Sequence, residues 1–247
     1  MTAAGILVVA ETDAGEASAV SFELLGLART LAPALGGSVT AVVLGDGVGG
    51  AADSLAAGGA DRVIKLESAA LSPYQAEAWL PDLTALAAEL APAAIILAHT
   101  TQGADLAPRL GFRLEAGIAT GCIAARATDG DLKLTRPCYG GNAHEVLSFR
   151  APPAVFTVKP KCFEATAAQQ GQVVERTSVL DPASLRTQVR ETRRDDGDGN
   201  RLESAEVVVA GGGGMAGAEA FDRARELAEL WGGAVGASRL ACDLGWC

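Results

Sequence analysis

The stretch Glu206–Cys247, EVVVAGGGGMAGAEAFDRARELAELWGGAVGASRLACDLGWC, is the most informative in the chain. Val207–Ala210 is a short β-branched run bounded by glycine, too short for a helix, and reads as a buried strand. Gly211–Gly214 follows as a turn whose backbone needs no room for a Cβ. Ala216–Trp231 then reads as a helix, with Ala220, Ala224, Leu227 and Trp231 on one face at spacings of four, three and four. Glu219–Arg223 and Arg225–Glu229 are i,i+4 pairs for its wet side. Gly232-Gly233 ends the helix and Ala234–Ala237 begins a second strand. The unit is strand, glycine turn, helix, strand, and its helix N-terminus offers free N–H groups and a dipole that favour a phosphate.

Two readings of that turn stay open on residues alone. Gly212-x-Gly214-x-x-Gly217 matches the dinucleotide fingerprint in the required strand-turn-helix context. The second strand ends in Ser238-Arg239 instead of Asp or Glu, which suits a 2′-phosphate. The plain alternative is a flexible turn that binds nothing.

The rest of the 247 residues bounds the answer. Nearly half are apolar (49%), enough for a sizeable core in one large domain or two. A net charge of −10 with no Lys/Arg cluster argues against nucleic acid as a partner. The apolar run Ile6–Ala10 is too short for a signal peptide and is followed by Glu11 and Asp13, and no run reaches membrane-spanning length, so no membrane insertion is expected. Five cysteines without a CxxC fit a reducing compartment, and a cytoplasmic protein is expected.

Taken in order, Gly5–Ala10, Ser38–Leu44, Arg62–Leu66 and Ala93–Ala98 read as strands. Ser18–Leu35, Ala51–Ala57 and Tyr74–Leu90 read as the helices between them, with Pro81 marking a kink or break. This alternation predicts a parallel sheet covered on both faces. His99–Phe112 is a loop entering a helix at Gly103–Asp105, with Pro108 near the helix start. Ile118–Ala127 and Lys133–Thr135 read as strands joined at Asp129-Gly130, a hairpin signal. Thr166–Arg201 is polar and reads as an extended arm followed by an exposed linker, unable to bury apolar surface. The expected fold is α/β: a three-layer, mostly parallel sheet domain over 1–190, a linker at 191–203, and an incomplete Rossmann-like lobe over 204–247.

VVVAGGGGM, a helix, and then VGASRLACDLGW resemble the start of the flavin-binding lobe in the α subunit of electron-transferring flavoproteins. That family reads V-V-S-G-G-R-G-L at the turn and V-G-A-S-R-x-x-x-D-x-G-W at the next strand. Val235 to Arg239, Asp243, Gly245 and Trp246 all stand in register with the second motif. Gly213 departs from the first, standing where the family has an arginine that contacts the cofactor. The resemblance extends over the chain in collinear order. Gly103, Asp105, Pro108 and Arg109 match a G-x-D-x-x-P-R segment. Arg136, Tyr139, Gly140, Gly141, Asn142 and Ala143 match R-x-x-Y-G-G-N-A, and Pro153–Pro160 is similar to P-A-V-x-T-V-R-P.

The resemblance implies a carrier that relays electrons through FAD between acyl-CoA dehydrogenases, or other flavin dehydrogenases, and a downstream acceptor, paired with a β subunit. It implies cofactor contacts at Gly211, Gly212 and Gly214, with Ser238 and Arg239 facing the flavin ring. A permanent guanidinium there stabilises the negative charge of the reduced ring, and a hydroxyl can donate to or accept from its nitrogen. The family's later FAD motifs would follow Trp246. The lobe is therefore expected to supply part of the pocket, to be completed by further protein or by a partner chain, and Val207–Cys247 is expected to be only partly packed. Two other functions stay open: a flavin-free docking subunit, and an NADP-binding oxidoreductase fragment resting on Gly212, Gly214, Gly217 and Arg239. His99 and His144 are too far apart in sequence to indicate a metal site or triad. Glu11, Asp13 and Asp105 read as turn or cap residues at strand ends, and Cys122, Cys138 and Cys162 as small buried side chains.

Overall fold

A computed structural model describes residues 4–165, 170–192, 202 and 205–247. It divides into two compact units, Met1–Val189 and Arg190–Cys247. Most of the expected linker, residues 193–201 and 203, lies outside the described residues.

In the first unit the chain runs β1 (Ile6–Val9), a short ribbon β2 (Thr12–Asp13) and β3 (Glu16–Ala17), α1 (Ala19–Leu31), β4 (Val39–Gly45), α2 (Gly49–Ala57), β5 (Arg62–Glu67) and α3 (Ala76–Leu90). It continues with β6 (Ala94–Ala98), α4 (Thr101–Arg113), β7 (Gly117–Cys122), β8 (Ala124–Thr128), β9 (Asp131–Cys138), β10 (Ala143–Ser148), β11 (Ala154–Val158) and β12 (Gln172–Arg176). Seven strands form one sheet in the order β12-β5-β4-β1-β6-β11-β7, and every neighbouring pair is parallel.

The runs ILVV, VTAVVLG, AIILA and AVFTV are apolar on both faces because helices cover both sides. Ile6 and Val8 point into one core with α1 and α2, and Leu7 and Val9 point into the other with α3 and α4. The alternation follows from the period of two along a strand. The three layers expected from the sequence are those observed.

Several sequence expectations change. Pro81 does not break α3, and Pro108 lies in the interior of α4. Each proline costs its helix one hydrogen bond, while Trp79, Leu83 and Leu86 on α3 and Leu106 and Leu110 on α4 are held in the core. Ile118–Ala127 is not one strand. It splits at Ile123, where β7 leaves the large sheet and β8 enters a three-stranded antiparallel sheet ordered β10-β9-β8. The β8–β9 connection is the expected two-residue hairpin, with Asp129 (φ 49°) and Gly130 (φ 84°) both left-handed.

The polar stretch after Lys161 also does more than extend. β12 adds to the sheet edge beside β5, Val173 packs on one core, and Leu180 and Leu185 pack on the other. Consecutive Val173 and Val174 point to opposite faces and are both half-buried, with Gln172 and Glu175 exposed, as suits a strand at the sheet edge.

The second unit contains β13 (Val208–Gly211), α5 (Glu219–Leu230), β14 (Ala234–Ala237) and α6 (Arg239–Asp243), with β13 and β14 parallel. The buried face of α5 is Phe221, Ala224 and Ala228. Leu227 and Trp231, expected inside, are 40% and 63% exposed. A two-stranded sheet offers only a narrow strip, and the Phe221 ring claims it by packing over Gly211. Arg225 pairs with Asp222 at 2.7 Å, in place of the expected contact with Glu229. Val208 remains 46% exposed, so the two strands are covered better on the helix side than on the other.

Candidate functional site

The glycines from 211 to 217 are not equivalent. A Cβ on Gly211 would come within 1.9 Å of Met215 Sδ and 3.0 Å of the Phe221 ring, so this residue is glycine for internal packing. At Gly212 a Cβ would meet Ser238 Oγ at 3.2 Å, and at Gly213 it would meet Leu240 Cδ2 at 2.7 Å. Gly214 and Gly217 face open space. The turn is closed by Met215 N–H to the Gly212 carbonyl at 2.9 Å and by Ala216 N–H to the Gly213 carbonyl at 3.3 Å. The space above Gly214 and Gly217 is thus an open shelf, and at Gly212 the missing Cβ makes room for Ser238.

The second strand ends against this shelf. Ser238 N–H donates to the Gly211 carbonyl at 2.9 Å, which fixes the Ser238-Arg239 step beside the turn. Ser238 precedes α6 with extended backbone, and its hydroxyl makes no capping bond. Arg239 is 94% exposed at its side chain, with Asp243 Oδ2 at 3.7 Å from Nε. A free hydroxyl and an outward guanidinium therefore flank a bare backbone turn. The first turn of α5 carries Glu219 and Asp222. Two carboxylates there oppose a phosphate, so the helix N-terminus is a poorer anion seat than its glycines alone implied.

A second polar group lies in the first unit. β1 and β6 are neighbours whose following strands leave in opposite directions, which makes their carboxyl ends a topological switch point. Glu11 and Thr100 meet there, Thr100 Oγ1 donating to Glu11 Oε1 at 2.5 Å. Thr100 also caps α4 by accepting from Gly103 N–H at 3.1 Å. Burial raises the Glu11 carboxyl above the usual carboxylate range, opposed by the Thr100 hydrogen bond. Tyr74 donates to Asp105 Oδ2 at 3.0 Å, and Arg109 Nε donates to Asp105 Oδ1 at 2.9 Å. Burial and the Asp105 charge push the Tyr74 hydroxyl well up.

This group accounts for the G-x-D-x-x-P-R segment. A Cβ on Gly103 would lie 1.8 Å from the Ala98 carbonyl oxygen, so only glycine lets α4 begin this close to β6. Asp105 ties α4 to the loop ahead of α3. These roles are architectural, but neither Glu11 nor Asp105 is a cap: Thr100 caps α4, Glu11 accepts from Thr100, and Asp105 lies within α4; the Glu11–Thr100 and Tyr74–Asp105 contacts join residues far apart in sequence and carried no local signal.

The Y-G-G-N segment is likewise a shaped turn. Tyr139, Gly140 and Gly141 are all left-handed, at φ 51°, 67° and 93°, and Asn142 Nδ2 donates to the Tyr139 carbonyl at 2.9 Å. Arg136 pairs across the hairpin with Glu145 at 2.8 Å. His99 Nδ1 contacts Thr157 Oγ1 at 2.9 Å, and burial lowers its basicity. Cys122 is buried as expected, whereas Cys138 is half-buried and Cys162 exposed, because the latter two fall where strands have already ended or run at the surface. Among the described residues no group of three or more His, Cys, Asp or Glu side chains could hold a metal ion.

Comparison with known proteins matches both units. Residues 6–181 match the family model "Electron transfer flavoprotein domain", and residues 201–247 match "Electron transfer flavoprotein FAD-binding domain". The chain is 33% identical over 243 residues to the electron transfer flavoprotein subunit alpha of Bacillus subtilis (strain 168), covering 98% of this chain and 74% of that relative. It is 36% identical to the corresponding subunit of Megasphaera elsdenii and 37% identical to Protein FixB of Clostridium saccharobutylicum, each again across 98% of this chain and 74% of the relative. The chain belongs to the electron transfer flavoprotein α-subunit family. Among the described residues no helix is long and apolar enough to cross a membrane.

Proposed function

We propose that this α subunit pairs with a β subunit as a heterodimer and carries electrons through FAD, from acyl-CoA dehydrogenases of fatty acid β-oxidation or related flavin dehydrogenases to a downstream acceptor. The cytoplasm is the compartment that fits the unpaired cysteines. The observation that carries the flavin part is the shelf itself: open backbone at Gly214 and Gly217, Gly212 approached closely by an uncommitted Ser238 hydroxyl, and the exposed Arg239 guanidinium, all at the carboxyl end of a strand pair. Bound FAD supplies the electron-accepting ring.

This chain's residues do the rest. The shelf suits a flat ring better than a phosphate, because Glu219 and Asp222 stand at the start of α5. Ser238 can donate to or accept from a ring nitrogen, and Arg239 offers a charge that stays in place at every working pH. Gly211, named with Gly212 and Gly214 as a cofactor contact, serves the pocket indirectly through its packing under Met215 and Phe221. The remaining walls come from protein outside Val207–Cys247.

The test is the absorption spectrum of the complex purified with its β subunit. Flavin bands in the wild type, with flavin retention reduced at least tenfold by Arg239→Ala, are the expected result. A complex that emerges colourless after incubation with FAD and desalting rejects the carrier reading and leaves a docking subunit. NADPH binding that Arg239→Ala abolishes would point instead to a nicotinamide dinucleotide.

A further inference from the structure

Arg239 does not stand alone at the end of β14. Asp243, one turn along α6, holds a carboxylate oxygen 3.7 Å from Arg239 Nε. In the uncovered protein this pair is weak, since the two side chains are 94% and 67% exposed and water screens them. A flavin ring held over the shelf would exclude water from the guanidinium and lower the effective dielectric between the charges. Asp222 on α5 is engaged by Arg225 at 2.7 Å, which leaves Asp243 as the carboxylate attached to the same strand end as Arg239.

We propose that Asp243 is a counter-charge that limits how strongly Arg239 favours the reduced flavin, so that the pair, and not the guanidinium alone, sets the flavin's reduction potential. The inference rests on the reading of Ser238 and Arg239 as flavin-facing. Taking up two electrons and one proton leaves the ring one unit more negative than before. Arg239 stabilises that added charge, and Asp243 opposes it. Asp243 also bears on the orientation of Arg239, with the opposite effect on potential. The charge effect is the larger one, because a 3.7 Å contact between exposed side chains is beyond hydrogen-bonding range and restrains a guanidinium only weakly.

The experiment uses the full chain in complex with its β subunit, loaded with FAD. The potential is read by equilibrium titration against a redox dye with dithionite as the electron source, and the affinity for oxidised FAD is measured separately. Asp243→Asn is expected to shift the ratio of oxidised to reduced dissociation constants about tenfold towards the reduced form, a positive displacement of about 30 mV for a two-electron couple. Affinity for oxidised FAD should stay within about threefold of the wild type, as expected for a residue whose charge acts mainly on the reduced state. Asp243→Glu should restore the wild-type potential, and Asp243→Ser, a second neutral replacement at an exposed position, should reproduce the shift.

An unchanged potential in both neutral variants overturns the inference while the flavin-facing reading stands. A negative displacement overturns it too and makes Asp243 an orienting residue for Arg239. A wild-type complex that takes up no FAD removes the underlying reading, and the inference falls with it.

Discussion

Replacing Asp82 should release the segment after β12 while leaving the sheet intact. Asp82 lies on α3 and is 2% exposed. Its Oδ2 accepts from the Ser178 hydroxyl at 2.6 Å, and its Oδ1 accepts from Val179 N–H at 2.7 Å. Ser178 Oγ in turn accepts from Leu180 N–H at 3.1 Å, and Leu180 packs on the core shared with α3 and α4. A hydrogen bond to a charged group contributes about 1.5–3 kcal/mol. Two such bonds in one network are not additive, and the freed donors regain water once the segment lifts, so about 3 kcal/mol is the expected local loss for Asp82→Ala. Asp82→Asn retains one acceptor and should lose about 1 kcal/mol.

Amide hydrogen exchange measures this directly. At 1.36 kcal/mol per factor of ten, Asp82→Ala should speed exchange at Val179 and Leu180 by roughly a hundredfold, with β1 and β6 unchanged. Arg186 makes a control: it pairs with Glu77 at 2.7 Å but is 86% exposed, so Glu77→Ala should change exchange nearby by less than tenfold. Unaltered exchange at Val179 and Leu180 in Asp82→Ala, or equal acceleration in β6, would refute the claim that one buried carboxylate anchors this segment.

Three further outcomes follow from burial and close packing elsewhere in the first unit and from the exposure of the cysteines. Glu11 has a folded pKa raised above its ordinary 4.5 by burial, so its ionisation works against folding: its contribution is most favourable below 4.5 and is lost as pH rises through the folded value. Thermal unfolding across pH should therefore find Glu11→Gln level with wild type in acid and more stable at neutral pH; a wild type that gains on the variant as pH rises contradicts this. Gly103→Ala sets a Cβ against the Ala98 carbonyl oxygen at a nominal 1.8 Å, and the loss should reach about 3 kcal/mol or more in denaturant titration. Burial pushes the Cys122 thiol up to about 11, whereas Cys162, Cys242 and Cys247 are exposed. Iodoacetamide followed by mass mapping should label those three in the folded protein and Cys122 only on unfolding.

Fold class was legible because the strands of the first unit are buried on both faces and alternate with amphipathic helices. Ile6–Val9, Val39–Gly45 and Ala94–Ala98 differ from their expected bounds by a residue or two. The misses have physical causes. Gln172–Arg176 looked too polar for a strand because an edge strand needs few apolar side chains once a neighbour such as β5 supplies the hydrogen bonds. The continuous run Ile118–Ala127 gave no sign of changing sheets at Ile123, since β-branched and small residues suit either sheet. The face of α5 was misjudged because periodicity defines a stripe, and what that stripe meets depends on the breadth of the sheet beneath it.

At the candidate site the division is similar. The sequence by itself determined the family, the glycine turn and the Ser238-Arg239 step, since each is a local pattern of residues a few positions apart. Only the tertiary structure decided which glycines are open, that Gly211 is packed from within, and that Glu11 meets Thr100 at the switch point. Those facts depend on what the chain brings together across a turn or across the sheet, and burial and Coulomb interactions are set by such distances in space, to which spacing along the chain gives no access.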